Sequence, residues 1–255
     1  MMIHGDIRKD RILKSGQGML DRIQSALEKT RHNATVAVRP FVTLSYAQSI
    51  DGSIAQRSGR PLALSCRDSL VFTHTLRSAH DGILVGIGTI LADNPLLTVR
   101  HVNGNSPRPI IVDGRLRFPL DAHALLNQRK LPWIATSEET DGERERALLK
   151  SGVTVLHIPS DADGLIDLSA LLGRLTEMGI ESLMVEGGAQ VITSFLRHRL
   201  VDQLVLTMAP VYIGGMQAVW PLQLSPSNPP RLENVEWQMC GSDLVLRADI
   251  AWNQR

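Results

Sequence analysis

The feature of this sequence that most constrains its fold is a regular alternation of short apolar strands with amphipathic helices between Arg39 and Arg197. Each strand-like run is rich in Ile, Val and Leu, and a helix-like segment follows most of them. Because parallel strands need crossover connections, this alternation predicts a largely parallel sheet covered by helices. The strand-like segments are 41–47, 82–86, 109–113, 133–136, 153–158 and 182–186, and the helix-like segments are 67–78, 143–150, 168–178 and 189–197.

The alternation stops near the end of the chain. Segments 203–213, 231–239 and 243–252 are strand-like without a helix between them, and residues 224–230 form a proline-rich loop. Consecutive strands of this kind indicate an antiparallel edge on the same sheet. The predicted fold class is therefore α/β, with a mostly parallel central sheet, an antiparallel C-terminal edge and helices on both faces.

The first 38 residues differ from the rest of the sequence, because they are polar and of mixed charge. One amphipathic stretch places Leu20, Ile23 and Leu27 on a single helical face. We therefore divide the chain into an N-terminal arm with a short helix, 1–38, and one domain, 39–255. The arm is expected to pack on the domain or on a dimer neighbour, although a lid or partner helix is an alternative.

Composition excludes several classes of protein. A formal net charge of +1, from 27 Lys and Arg against 26 Asp and Glu, gives no overall field that would hold nucleic acid or an anionic membrane. The two cysteines lie outside any C-x-x-C motif, and the histidines form no metal-binding pattern, so no metal is predicted. No apolar run reaches the ~18 residues of a membrane span and no secretory signal is visible, which predicts a cytoplasmic protein.

Two strand-to-helix junctions are rich in glycine, one at 85–90 and the other at 185–190. Glycine allows a ligand to approach the backbone, and the N–H groups of a helix N-terminus attract phosphate oxygens. In an open α/β sheet, such junctions line the ligand crevice. Neither is a complete dinucleotide fingerprint, since Leu91 stands where the third glycine of G-x-G-x-x-G would be. Tight turns without a ligand are the alternative.

Four charged residues near these junctions are candidates for chemistry. Glu186 ends an apolar strand directly before two glycines, where its carboxylate would bind hydroxyls or transfer a proton. Asp93 precedes an Asn-Pro turn, so it could instead accept hydrogen bonds from turn amides. Arg77 and Arg100 are candidates for a substrate phosphate because guanidinium groups match phosphate oxygens, although solvated surface positions are the alternative.

Taken in order, these segments resemble the pyrimidine reductases of riboflavin biosynthesis, including the reductase domain of the bifunctional deaminase–reductase. The likeness covers about residues 39–251. The matching motifs are 45–52, 76–81, 86–100, 109–114, 185–188, 200–203, 209–210 and 213–215.

The resemblance implies a dihydrofolate-reductase-like fold, a homodimer and NADPH as cofactor. The implied reaction is hydride transfer to C1′ of a phosphoribosylamino-pyrimidine, which gives the ribitylamino product. Residues that match the family's substrate contacts are Arg77, Leu97, Arg100 and Glu186. Because the sugar ring must open before hydride can reach C1′, we hypothesise that Glu186 is also the catalytic residue, which binds the ribose hydroxyls or assists the proton relay. Residues that match its cofactor contacts are Ala47, Thr89, Asp93, Gly114, Gly188, Ala189 and Gln190.

Departures from the family pattern leave the substrate open. Pro61, Ala63 and Gly114 stand where family members often have Ser, Trp and Ser. The substrate is 5-amino-6-(5-phosphoribosylamino)uracil or its 2,5-diamino-pyrimidinone counterpart, and we lean to the uracil form. A same-fold reductase of another pyrimidine or pterin, or a nucleotide-binding module without turnover, are the alternatives. The deaminase motif, H-x-E with P-C-x-x-C, does not occur, so deamination by that route is not expected.

Overall fold

The structure, a computed structural model, describes residues 18–29, 38–58, 62–126, 129–138, 142–222 and 229–252. The helices are α1 (18–29), α2 (Arg67–Ala79), α3 (Ile87–Asp93), α4 (Gly142–Lys150), α5 (Leu168–Glu177) and α6 (Ala189–Arg197). The strands are β1 (Phe41–Ser49), β2 (Ser53–Ala55), β3 (Gly82–Gly86), β4 (Arg108–Val112), β5 (Trp133–Thr136), β6 (Thr154–His157), β7 (Ser182–Gly187), β8 (Gln203–Ala209), β9 (Met216–Gln217), β10 (Arg231–Cys240) and β11 (Asp243–Ala251).

Within the described residues, nine strands form one sheet in the order β10-β11-β8-β1-β7-β3-β4-β5-β6. The strands from β8 to β6 in this order are all parallel. The last two strands of the chain, β10 and β11, add an antiparallel edge next to β8. The predicted fold class is thereby confirmed. A short ladder between β2 and β9 was not predicted, because its strands have only three and two residues.

Side chains of the central strands alternate between two apolar layers. On one face Val185 of β7 belongs to the same cluster as Phe195 of α6, together with the apolar residues of α5. On the other face Met184 packs with Phe72 and Leu76 of α2. We call these the α6 face and the α2 face. Both faces of the sheet therefore carry helices, because neighbouring residues of a strand point to opposite sides.

Helix α1 packs on the α2 face. Met19, Ile23 and Leu27 are buried in the cluster that also contains Phe72 and Leu76. The sequence placed Leu20 on the buried face, but Leu20 is only partly buried. Met19 takes the central position instead, since the spacing 19, 23, 27 keeps every contact one turn apart. The division of the chain into an arm and a domain stays a prediction.

The strand predicted over 203–213 ends early, at Ala209. Pro210 has no N–H to continue the ladder, and the next residues turn towards Asp51. The N–H groups of Ile213 and Gly214 donate to the Asp51 carboxylate at 3.0 and 2.7 Å. Hydrogen bonds from Ser49 and from these amides hold the pKa of Asp51 well below its usual range.

No helix in the described part of the chain is long and apolar enough to cross a bilayer.

Candidate active site

A cavity of about 1080 Å³ opens where the parallel strands end. Gly86 at the end of β3, Gly114 after β4, Ser137 after β5 and Gly188 after β7 all border it. Ligand cavities of proteins commonly enclose ~300–1,000 Å³, so this one is large enough for a dinucleotide. Its position outside the carboxyl ends of the strands is the one expected for an open α/β sheet.

The two glycine-rich junctions meet in this cavity. The N–H of Gly188, at the start of α6, donates to Thr89 Oγ1 of α3 at 3.1 Å. Gly187 has a φ of +114°, in the region that disfavours side chains. At Gly86 an added Cβ would lie 2.9 Å from Val191 of α6. Glycine therefore permits both the close packing of α6 on β3 and the turn that leads into α6.

Most of the predicted cofactor contacts line this cavity, and one does not. The residues that line it are Thr89, Asp93, Gly114, Gly188, Ala189 and Gln190. Ala47 lies outside the lining, on β1, where it pairs with Thr207 of β8. The first backbone N–H groups of α6 have no partner inside the helix, so they are free to bind an anion in the cavity.

Asp93 does not have the capping role that the sequence left open. The turn after α3 is made by Asn94, which has a φ of +42° and whose Oδ1 accepts the N–H of His123 at 2.7 Å. Asp93 instead lines the cavity, and burial raises the pKa of its carboxyl group. Its position is suited to accepting hydrogen bonds from ligand hydroxyls.

Arg77 and Glu186 form a bidentate ion pair on the α2 face. Arg77 Nε and Nη2 donate to the two oxygens of Glu186, both at 2.6 Å, and Nη1 donates to the carbonyl of Thr98 at 3.1 Å. Their side chains are only 12% and 14% exposed. Burial acts against the charge of Arg77, but Glu186 outweighs it, so the pKa of Arg77 is raised.

Arg100 lies beside this pair, and its positive charge is less neutralised than that of Arg77, which is paired directly with Glu186. Its Nη1 donates to Thr98 Oγ1 at 3.3 Å, and its backbone N–H donates to His74 Nδ1 at 3.0 Å. Burial and the charge of Arg77 lower the pKa of Arg100, whereas Glu186 acts in the opposite direction. Arg77, Arg100 and Glu186 together carry one positive charge, which suits a phosphate group.

His74 is a site residue that sequence reasoning missed. Burial, followed by the charges of Arg77, Arg100 and His101, lowers the pKa of His74 to about 4. The neutral ring accepts the Arg100 N–H at Nδ1 and packs edge-on against His101. Its place one turn before Arg77 on α2 was the available signal, since such residues share a helix face.

Leu97 can contact a substrate only through its backbone. Its side chain is buried in the cluster with Ile87 and Ile90, and its φ is +53°. A left-handed conformation is uncommon for leucine and costs on the order of 1–2 kcal/mol. This strained residue lies directly before Thr98, whose carbonyl oxygen accepts a hydrogen bond from Arg77 and whose hydroxyl oxygen accepts one from Arg100.

The cavity also contains residues that the sequence analysis did not name. Arg115 and Arg117 line it after β4, and Ser137 donates to the carbonyl of Gly114 at 2.9 Å. All three follow the carboxyl ends of parallel strands, which is the position where an open α/β sheet binds ligands. Two residues near position 60 differ from the family pattern. Pro61 lies outside the described residues, and Ala63 is exposed and does not line the cavity.

The two parts of the site are joined through β7. Glu186 is two residues before Gly188, which lines the cavity, whereas neither Glu186 nor Arg77 lines it. This arrangement places a positively charged, carboxylate-bearing cluster near a dinucleotide-sized cavity.

Comparisons with known proteins show what this chain is similar to. The family model described as the RibD C-terminal domain matches residues 40–246. A 2,5-diamino-6-ribosylamino-4(3H)-pyrimidinone 5′-phosphate reductase from Debaryomyces hansenii is 36% identical over 83% of this chain and 90% of its own length. The protein of the same name from Archaeoglobus fulgidus is 37% identical over 70% of this chain and 84% of its own length.

A solved structure is similar as well. The riboflavin biosynthesis reductase Rib7 of Saccharomyces cerevisiae superimposes with a TM-score of 0.66 at 33% identity, over 84% of this chain and 91% of the other.

Proposed function

The chain belongs to the RibD C-terminal domain family, and we propose on this basis that it is a reductase of riboflavin biosynthesis. It reduces the ribosyl group of a phosphoribosylamino-pyrimidine to the ribitylamino product with NADPH as hydride donor. The observation that carries the proposal is the end of β7, where Glu186 of the Arg77–Glu186 pair lies two residues before Gly188 of the large cavity.

The preferred substrate is the 2,5-diamino-pyrimidinone 5′-phosphate form. Both relatives described above carry this substrate in their names and match most of their own length. The sequence alone favoured the uracil form as substrate, and the names of these relatives change that preference to the 2,5-diamino-pyrimidinone form. The two substrates share the phosphate and the ribose, which Arg100 and Glu186 are proposed to bind, so this part of the site serves either one.

The residues of the cavity fit a nicotinamide dinucleotide. The N–H groups of Ala189 and Gln190 are available to the pyrophosphate, and Asp93 to a ribose hydroxyl. When bound, the cofactor supplies a hydride, and the protein supplies position and electrostatics. The cytoplasmic location predicted from the sequence remains part of this proposal.

Glu186 is proposed to act on the sugar. Before hydride can reach C1′, the C1′–O4′ bond breaks, O4′ takes up a proton, and the glycosidic nitrogen loses one as the C=N bond forms. A carboxylate hydrogen-bonded to the sugar hydroxyls can carry that proton. Arg77 fixes both carboxylate oxygens, which orients Glu186, and Arg100 binds the 5′-phosphate.

The reaction is tested by supplying both candidate substrates side by side and following the loss of NADPH absorbance at about 340 nm. We expect oxidation with both and a higher kcat/KM for the 2,5-diamino-pyrimidinone form. Binding of NADPH without oxidation by either substrate would instead identify a nucleotide-binding module. Turnover with only another heterocycle would identify a different reductase.

Preference for NADPH over NADH is proposed to come from Arg115. Positive side chains of the cavity include Arg115 and Arg117 after β4, and Asp93, Glu138 and Asp161 bring negative charge to its wall. Arg117 lies 3.5 Å from Asp113 and is partly neutralised by it. The 2′-phosphate of NADPH is therefore expected next to Arg115.

Arg115→Ala is expected to raise the Kd for NADPH about 10- to 100-fold, as loss of a charge-assisted hydrogen bond does. The Kd for NADH should change less than about twofold, because NADH has no 2′-phosphate. Fluorescence titration with both nucleotides measures the effect. Arg146→Ala removes an exposed arginine of α4 outside the cavity and serves as the matched control. Equal weakening of both nucleotides by Arg115→Ala would contradict the assignment.

The homodimer is proposed to form through an uncovered part of the α6 face. Two mostly apolar rows cross β1, β8, β11 and β10 there. They are Tyr46-Leu206-Leu246-Trp237 and Gln48-Met208-Leu244-Met239, in which Gln48 is polar and Leu246 is already buried. Trp237 and Met239 are 56% and 51% exposed. A contiguous apolar face of this kind is typical of an interface, and a second copy of the chain would cover it.

Trp237→Glu is expected to convert the dimer into a monomer, since a charge at the centre of an apolar interface loses its hydration. Sedimentation velocity measures the mass. Leu149→Glu, at an exposed leucine of α4, is the control and should leave the dimer intact. An unchanged mass for Trp237→Glu would place the interface elsewhere.

A further inference from the structure

The two cysteines of this chain, 174 residues apart in sequence, lie against each other in the fold. Cys66 Sγ donates to the carbonyl oxygen of Cys240 at 3.1 Å. Cys66 directly precedes α2, and Cys240 is the last residue of β10. Both side chains are half-buried and neither is in a disulfide. The meeting of the only two cysteines among 255 residues is not required by the reductase site.

The surroundings of the two thiols are asymmetric. Cys66 is the N-cap of the 13-residue helix α2, so its sulfur lies at the positive end of that helix. Ser69 Oγ is 3.6 Å from this sulfur. Burial opposes ionisation of Cys66, but hydrogen bonds from Ser69 and Ser242 outweigh it, and the pKa of Cys66 is lowered. Burial, then the charges of Cys66, Asp68 and Asp243, raises the pKa of Cys240 to about 11.

The backbone around the pair is held in place. The carboxylate of Asp243 accepts hydrogen bonds from the Cys66 N–H at 2.7 Å and from Ser69 Oγ at 2.5 Å, which ties the start of α2 to β11. Gly241 follows Cys240, and an added Cβ there would lie 2.8 Å from Cys66 Sγ. The sulfur of Cys66 thus fills the space against the β10–β11 turn.

We propose that Cys66 and Cys240 form a peroxide-sensitive thiol pair that closes reversibly to an intramolecular disulfide. The Cys66 thiolate attacks hydrogen peroxide, giving the Cys66 sulfenic acid and hydroxide. The Cys240 sulfur then attacks the sulfenic sulfur, which forms the S–S bond and releases water. Oxidation of Cys66 also removes one of the negative charges that, after burial, raise the pKa of Cys240. A dithiol reductant returns both thiols.

The experiment treats the full-length protein with a few equivalents of hydrogen peroxide and measures its intact mass and its disulfide-linked peptides. We expect a loss of two hydrogens, a peptide linked between Cys66 and Cys240, and complete reversal by dithiothreitol. Because the cross-link closes a long loop, the midpoint of thermal unfolding should rise by roughly 5 °C or more.

Two variants separate the roles of the thiols. Cys240→Ser should leave a sulfenic acid at Cys66 that dimedone labels, whereas Cys66→Ser should leave Cys240 unlabelled at the same dose. Serine at position 66 is a favourable helix N-cap, so that variant is expected to fold. Intermolecular disulfides alone, over-oxidation of Cys66 without a cross-link, or equal labelling of both variants would overturn the proposal. None of these measurements depends on reductase activity.

Discussion

Replacing Glu186 with glutamine is expected to lower kcat/KM for the phosphoribosylamino substrate at least a hundredfold, while the Kd for NADPH changes less than about twofold. The amide cannot accept both N–H groups of Arg77, and it cannot carry the proton that ring opening requires. A hundredfold loss corresponds to about 2.7 kcal/mol, slightly less than the ~3–5 kcal/mol that breaking a buried ion pair costs. Steady-state kinetics and nucleotide titration measure the two effects.

The division of the loss between kcat and KM distinguishes the two roles proposed for Glu186. If Glu186 relays the proton, kcat falls and its pH profile changes. If Glu186 only binds the ribose hydroxyls, KM rises and kcat is retained. Glu177→Gln, at an exposed ion pair of α5, is the matched control and should leave both constants unchanged. Unaltered turnover and unaltered substrate affinity in Glu186→Gln would show that Glu186 has neither role.

The cofactor side of the site was predictable from sequence because one local rule governs it. Residues at the carboxyl ends of parallel strands meet at one edge of the sheet, whatever their separation in the chain. The junctions at Gly86 and Gly188 followed from this rule, whereas Gly114, which lines the same cavity, was implied by the family resemblance. Ala47 is the exception, since it lies on β1 before the strand ends and pairs with Thr207. Its implied contact came from the resemblance alone.

The substrate side was less predictable because it depends on long-range packing. Arg77 and Glu186 are 109 residues apart, and they meet only because α2 crosses the sheet over β7. Sequence reasoning assigned both residues to the site but treated them as independent. It contained no signal that one would neutralise the other, or that Leu97 would bury its side chain and present only backbone.

The proximity of Cys66 and Cys240 likewise depends on long-range packing, which the sequence does not reveal. Cys66 and Cys240 are far apart in the sequence, and their spacing indicates only that the chain has neither a cysteine metal site nor a disulfide framework. Their proximity follows from the antiparallel edge, which returns β10 to the start of α2. Strand order therefore decides which distant residues meet, and the sequence pattern predicts strands more directly than it predicts their order.

Removing the arginine of the ion pair is expected to weaken substrate binding much more than cofactor binding. Arg77→Ala should raise the Kd for the phosphorylated substrate at least about fiftyfold, because Glu186 then lies nearly buried without its partner and repels the phosphate. The Kd for NADPH should change less than about threefold, since Arg77 does not line the cavity. Calorimetric titration measures both constants. Arg174→Ala, at an exposed ion pair of α5, is the control. Equal loss for both ligands would contradict this assignment.

Combining the two substitutions tests whether Arg77 acts through Glu186 or on the phosphate directly. If orientation of Glu186 is its main role, the Arg77→Ala/Glu186→Gln double variant should bind substrate no more weakly than the worse single variant. If Arg77 also donates to the phosphate, the two losses should add. Arg77→Lys sharpens the distinction, because lysine keeps the charge and cannot form the bidentate pair. Retained phosphate affinity together with reduced kcat in Arg77→Lys would identify Arg77 as the residue that positions Glu186.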